Sequence, residues 1–459
     1  MIGTSIQLSQ LRSATGGAVI APGDDDYDSA RRLLAGGFDR RPAVIVRPDD
    51  TAGVAAAVGI ARDGGISLSV RAGGHGGAGH AVIDDGLVVD LRGLTRLDVD
   101  LEGRTAWAGG GLTAGAYTTA VAEHGLATGF GDTGSVGIGG ITLGGGVGHL
   151  SRLHGLTVDN LLAAEVVTAD GRILRVDADT EPDLFWALRG GGGNFGVVTR
   201  FRYRLHELPS VVGGLLLLPA TAENIAAFAA AAAAAPDELS TIATVMPAPP
   251  LPFVPEHLRG QLVIMGTLCY AGPDAAGQQA VAPFRDIAAP VADLVRPMPY
   301  PGLFPPDDPD MPRPVTVGTT GYLDHVDLAT AETIVDHLSR SDAPLRLVQL
   351  RVLGGAISRV SNDATAYGHR AANVMVNVVS MVLGPQDRPA RQQWVDDLTT
   401  ALDQGVPGSY VNFVSDDGPE HARSAYPPAT WDRLAAIKAV YDPANLFRSN
   451  HNIAPVVGS

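Results

Sequence analysis

A chain of 459 residues, 45% hydrophobic and 18% charged, can bury a large core and is too apolar for wholesale disorder; its length suggests roughly two or three domains. Acidic residues outnumber basic ones 49 to 33, a net charge of −16, which argues against nucleic acid and anionic membrane surfaces as partners. One cysteine, Cys269, excludes an internal disulfide; with no basic-then-apolar leader over Met1 to Gly17 and no apolar run of ~18 residues, a cytoplasmic chain without a membrane span is expected.

In chain order, Ala43–Val46, Thr51–Arg62 and Ser67–Val70 read as strand, helix and strand, with Asp50 or Thr51 as the helix cap and Gly64-Gly65 as its stop. Strands are expected at Leu87–Leu91 and Arg104–Ala108, followed by a helix capped by Thr113 and running to His124. Val166–Thr168 and Ile173–Val176 form a hairpin turned by Ala169-Asp170-Gly171, Pro182–Leu188 reads as helix, and Val197–Leu205 reads as strand. After Leu208-Pro209 the texture changes. A strand at Leu215–Leu218 and an alanine-rich helix over Ala226–Ala235 lead into strand-like runs at Gln261–Tyr270, Leu345–Leu353 and Ala372–Met381. Helices Ala329–Arg340 and Pro389–Gln404 fall among them, and the proline-rich stretches Pro247–Pro255 and Pro297–Pro314 read as surface loops. A last helix, capped by Thr430 and facing inward with Leu434, Ile437 and Tyr441, stops at Asp442-Pro443.

Three segments are rich in glycine and empty of acid: Arg71–His80, Thr133–Val158 and Arg189–Thr199. In so acidic a chain the second alone would carry about three acids by chance. Glycine allows close backbone approach and positive φ, so successive N–H groups can nest an anion that a carboxylate would repel. The pattern points to a large phosphate-bearing cofactor wrapped by backbone. Gly191, Gly193 and Gly196 spell G-x-G-x-x-G, but a helix precedes them and a strand follows, the reverse of a Rossmann turn. No stretch supplies a Walker lysine. His75 and His80, in a flexible loop without Cys or carboxylate beside them, give no zinc pattern, and no metal is expected.

The residues Arg71-x-Gly73-Gly74-His75, Val136-Gly137-x-Gly139-Gly140, Gly144-Gly145-Gly146-x-Gly148, His154-Gly155-Leu156-x-x-Asp159-Asn160 and Asp183 through Thr199 together resemble the FAD-binding half of berberine bridge enzyme-like oxidases. Tyr441-Asp442-Pro443-x-Asn445-x-Phe447-Arg448-x-Asn450-x-Asn452-Ile453 resembles that family's closing motif. The resemblance implies an α+β fold of the vanillyl-alcohol oxidase superfamily. A PCMH-type FAD lobe of two subdomains (1–206) would be followed by a substrate lobe of antiparallel sheet covered by helices (207–418). The segment 419–459 would then return to the FAD lobe.

It further implies that FAD is held at Arg71, Gly73, Gly74, His75, Gly76, Gly77, His80, Thr133, Val136, Gly137, Gly139, Gly140, Gly144, Gly146, Gly148, Asn160, Val198, Asn450 and Asn452, with a covalent bond from His75 to the flavin 8α carbon. Thr133 stands where many relatives carry a second, cysteinyl link, so one link at most is expected. Val136 matches the family's oxygen gate in its oxidase form. Substrate hydride would pass to flavin N5 and electrons to O2, giving H2O2. The catalytic candidates are Tyr410, Asn412 and His369, the last against the commoner reading of a satisfied structural histidine. Phe413 replaces the tyrosine that serves relatives as base, which tilts the substrate towards a secondary amine, with an alcohol of a natural product the other choice. An oxidative cyclase and a non-catalytic flavin carrier are the alternatives. The partners expected are a small-molecule substrate and O2; the oligomeric state is unreadable.

Overall fold

The computed structural model describes residues 8–304, 314–415 and 418–456. Its first sheet has four strands in the order Ala18–Ile20, Val44–Arg47, Leu87–Asp90, Leu68–Arg71. Only the first pairing is antiparallel. Helix Thr51–Asp63 crosses over between the second strand and the last, as parallel strands require. Asp50 caps it, accepting from the Gly53 N–H at 2.8 Å. Gly53 itself has no room for a side chain, since a Cβ there would stand 2.2 Å from the Thr15 carbonyl oxygen.

A second sheet is antiparallel throughout, ordered Leu97–Asp100, Thr105–Gly109, Val197–Arg204, Leu161–Val167, Ile173–Asp177. The expected hairpin is its last pair. Helix Ala114–Ala122 is capped by the Thr113 hydroxyl, as read from the sequence, and ends two residues before His124.

The third sheet has eight strands, all antiparallel, built around Val211–Pro219, Leu262–Ala271, Leu239–Pro247, Arg346–Val352, Val374–Val382 and Val315–Leu323. Strands Leu239–Pro247 and Val315–Leu323 were not expected from the sequence, nor was helix Asp274–Arg285, which carries Pro283 inside it. Alternation gives this sheet two unlike faces. Val245, Val348, Val376 and Val378 pack under helices Ala222–Ala234, Asp274–Arg285, Leu328–Arg340 and Arg388–Ala401. Thr244, Gln349, Asn377 and Thr320 stand in register across the other face, with Arg351 two residues beyond Gln349.

The final helix runs Pro428–Tyr441, three residues earlier than a Thr430 cap would allow, because Pro428 takes its first position. Leu434 and Ile437 share a core with Phe185, Trp186 and Leu188 of helix Pro182–Leu188. Of the proline-rich stretch Pro297–Pro314, residues 305–313 lie outside the described part. The portion before them is a short strand and a 3-10 turn around the buried Tyr300, not a bare surface loop. Among the described residues no helix is long and apolar enough to cross a membrane, and no group of three His, Cys, Asp or Glu could hold a metal ion.

Candidate active site

Five chain segments, residues 68–81, 131–147, 193–198, 410–414 and 447–451, enclose a cavity of about 370 Å³ together with Leu91 and Tyr426. Two glycine loops meet backbone to backbone at its wall. A Cβ on Gly73 would lie 2.3 Å from the Gly137 nitrogen, and one on Gly137 would lie 2.2 Å from the Gly73 nitrogen. Gly74 takes a φ of +78° in the turn that follows. Arg71 does not line the cavity. Its buried guanidinium donates to the carbonyls of Ala30 and Arg32, the latter at 2.7 Å, and so fixes where the loop begins.

The glycines divide into two kinds. At Gly76 and Gly140 a Cβ would meet nothing within 4 Å, and at Gly193 only the Asn450 amide nitrogen at 4.0 Å. Protein neighbours do not exclude side chains at these three positions, all on the wall, so side chains there would fill the cavity itself. Gly139 and Gly74 are also on the wall; Gly77 instead lines a neighbouring polar cavity of about 460 Å³ with Thr316 and Arg388. Gly144, Gly146 and Gly148 are of the second kind and lie off the wall. Their Cβ atoms would come within 2.1 Å of the Asn412 amide oxygen, 2.0 Å of the Thr157 hydroxyl and 2.4 Å of the Phe130 carbonyl oxygen.

That tight turn seats Tyr410 and Asn412. The Tyr410 oxygen accepts from the Gly146 N–H at 2.9 Å, the Val147 N–H at 3.4 Å and the Asn412 amide at 2.9 Å. Asn412 also donates to the Ile141 carbonyl. Burial pushes the Tyr410 phenol up, and these donors work against that rise. Phe413 stands beside Tyr410 on the wall, their ring centroids 5.0 Å apart.

The C-terminal segment closes the site. Asn194 donates to the carbonyls of Gly191 and His451 and accepts from the Ile453 N–H, stitching 451–453 onto the third glycine segment. Lys438, the chain's one lysine, is fully buried and donates to Asp442 at 2.6 Å, Asn194 O at 2.7 Å and Phe447 O at 2.9 Å. Asn450, on the wall, spends its amide nitrogen on the carbonyls of Gly193 and Phe447, which leaves its buried amide oxygen without a partner in the protein. A buried acceptor left unmet costs about 1–3 kcal/mol, so the site asks for a donor from a bound group. The open glycines and this acceptor fit a large cofactor offering N–H donors.

His75, His80, Thr133, Val136 and Val198 are on the same wall. His80 packs edge-on against His451 at 4.9 Å, and Ser449 donates to the His80 carbonyl. Three further expected site residues stand apart. Asn160 spends its amide on the carbonyls of His154 and Leu156 and pairs with His206 at 2.6 Å. Its neighbour Asp159 binds Arg370 in a two-point ion pair at 2.6 and 2.7 Å. His369 hydrogen-bonds the Ala425 carbonyl at 2.9 Å and leans on Tyr322, away from the wall, with burial lowering its pKa. Asn452 is off the wall as well.

Sequence reading missed Asp132 and its partner Arg351. Asp132 sits one residue before the acid-free segment and is on the wall. Arg351 donates to it at 2.6 Å, is held in turn by Gln349 at 2.7 Å, and lies 5.1 Å from the Phe413 ring centre. Burial opposes charge on Asp132, but Arg351 and, behind it, His149 hold its carboxyl down to about 2. Burial takes His149 itself down to about 4. The only signal available was an acid abutting a glycine loop, which has no spacing rule to make it visible.

An FAD binding domain profile matches residues 42–177, and one for berberine and berberine-like proteins matches residues 409–454. Among curated relatives, the (R)-6-hydroxynicotine oxidase of Paenarthrobacter nicotinovorans is 31% identical over 96% of this chain and 97% of its own. An FAD-linked oxidoreductase of Dictyostelium discoideum is 29% identical over 90% and 89%. Among solved structures, 6-hydroxy-D-nicotine oxidase from Arthrobacter nicotinovorans superposes with a TM-score of 0.84 at 27% identity, covering 99% of both chains. The berberine bridge enzyme-like 1 protein of Physcomitrella patens, 23% identical, shares the fold at a TM-score of 0.87 over 99% and 100%.

Proposed function

The chain belongs to the berberine bridge enzyme-like FAD-linked oxidoreductases and is an FAD-dependent oxidase, and from that premise we propose that it oxidises a secondary amine or an alcohol of a natural product. FAD, when bound, supplies the hydride acceptor and the route for two electrons to O2, giving H2O2. The chain's own residues hold and orient it. Gly76, Gly140 and Gly193 leave the room, and the Asn450 amide oxygen offers the acceptor. His75, on the wall within a glycine loop, would hold the flavin at its 8α carbon. Thr133 offers a hydroxyl where a second link would need a thiol. Val136 leaves the space through which oxygen reaches the flavin. Tyr410 and Asn412 position the substrate, and Phe413 offers it no proton acceptor. The likeness to a hydroxynicotine oxidase supports a nitrogenous substrate.

Residues 1–206 and 419–459 form the FAD lobe in this reading, and 207–418 the substrate lobe. It is supported by the stitching of 451–453 to Asn194 and by the polar sheet face at Gln349 and Arg351, whose ion pair reaches Asp132.

The observation that carries the proposal is the convergence of His75, Val136, Asn412 and Asn450 on one cavity from four distant stretches of chain. Two measurements test it. Flavin that stays with the acid-precipitated protein and maps to the His75 peptide supports the link, and flavin released wholly into the supernatant overturns it. Anaerobic bleaching should follow addition of secondary amines or alcohols; bleaching by oligosaccharides alone would overturn the substrate class.

A further inference from the structure

Asp132 is the one carboxylate on the cavity wall among the described residues, and no lysine or arginine lines that wall. Its partner Arg351 does not cancel it, because the two are not equally placed. The Arg351 side chain is 5% exposed and off the wall, whereas that of Asp132 is 28% exposed and on it. The guanidinium is engaged behind the carboxylate, by Gln349 on one side and the Phe413 ring on the other. One Asp132 oxygen takes the Arg351 bond and the other takes the Thr133 hydroxyl at 3.2 Å. A carboxylate oxygen has two acceptor directions, so capacity remains towards the cavity. The pair therefore presents its negative end to whatever occupies the cavity beside it.

A carboxylate there repels an anion and favours a cation, most strongly where water is scarce. The remaining wall is apolar at Val136, Ile141, Val147 and Val411. We propose that Asp132 is a specificity-determining residue that anchors a substrate carrying a nitrogen cation on an apolar body, with Arg351 as the positioning residue that holds the carboxylate in place. This rests on the oxidase reading and adds the charge of the substrate to it.

Benzyltrimethylammonium and its neutral isostere neopentylbenzene, neither with an oxidisable amine N–H, serve as probes of the flavin-loaded protein, read by the change in flavin absorbance. The cation should bind at least about tenfold more tightly than the isostere. Asp132→Asn should erase that preference with flavin content unchanged, and Asp132→Glu should keep most of it. Equal binding of the two probes, no binding of the cation, or a preference that survives Asp132→Asn overturns the proposal. Should Asp132→Asn fail to load flavin, the comparison in the unaltered protein still decides. Light-reduced protein reoxidised by oxygen reports separately on the oxidase reading. Peroxide formed without a preference for the cation sinks the anchor alone, whereas a flavin that yields no peroxide sinks the oxidase.

Discussion

Single glycines at this site do opposite jobs, and the sequence does not distinguish them. Gly73 and Gly140 belong to the same kind of acid-free run, yet a methyl group at Gly73 would strike the Gly137 backbone, while one at Gly140 would enter open cavity. Gly73→Ala should therefore destabilise the protein by about 1–3 kcal/mol, because neither backbone can swing aside. Gly140→Ala should melt at the unaltered temperature but retain less flavin. Thermal melting paired with the flavin-to-protein ratio separates the two, and equal behaviour of both variants would refute the division. Val136 is another residue whose size matters at the wall. It is half-buried beside the cavity, and leucine adds one methylene to a packed wall, where such a change is felt. Val136→Leu should slow oxygen reoxidation of photoreduced protein at least about tenfold, equivalent to ~1.4 kcal/mol of barrier. Unchanged stopped-flow traces would remove Val136 as the gate.

Elements were legible where a cap or an alternation was local. Asp50 and Thr113 announce their helices, and both cap in the structure. Strand Val315–Leu323 was hidden by Gly318 and Gly321 in its middle, and helix Asp274–Arg285 by Pro283; in both, packing against neighbours outweighs intrinsic preference. The glycine segments and the closing motif, which build the cavity, were readable because backbone approach demands a residue type. Asp132 and Arg351 were not, because they lie 219 positions apart and meet only through the fold. The short helix Ser151–His154 and strand His206–Glu207 make another such meeting, with the two imidazoles stacked at 3.7 Å. Burial first, then His154 and Arg204, lower the His206 pKa from 6.5 to about 4. The unfolded chain thus binds this proton at a higher pH than the folded one. The stability that the neutral ring contributes is complete above about 6.5 and falls as the pH drops towards about 4. His206→Gln can keep the bond to Asn160 without titrating. Its denaturation midpoint should fall less steeply across that window than the unaltered protein's, and parallel profiles would refute the assignment.

The last stretch of chain is either part of the cofactor site or an appendage to it. The buried Lys438 draws Asn194, Asp442 and Phe447 together, so the final helix, the third glycine segment and the closing turn share one fully buried cation. Asp442 in turn accepts the N–H groups of Leu446 and Phe447, and Asn445 takes a φ of +53° to make that turn. Beyond the turn, Phe447 enters the core of the four-stranded sheet, while Ile453 enters the core around Phe185. Lys438→Met would leave Asp442 as a buried charge without its counter-ion, a loss of about 3–5 kcal/mol that chemical denaturation should register. Ending the chain after Pro443 goes further. It removes the Phe447 carbonyl that Lys438 uses, the Ile453 N–H that Asn194 uses and the Asn450 amide on the cavity wall. Two cores lose a side chain and one wall of the cavity disappears, while the three glycine segments stay intact. If the tail belongs to the site, the truncated protein should be purified without flavin and should not take it up when FAD is added. If the glycine segments suffice, absorbance near 450 nm should remain at the stoichiometry of the full chain, and the assignment of residues 419–459 to the FAD lobe would fall with it.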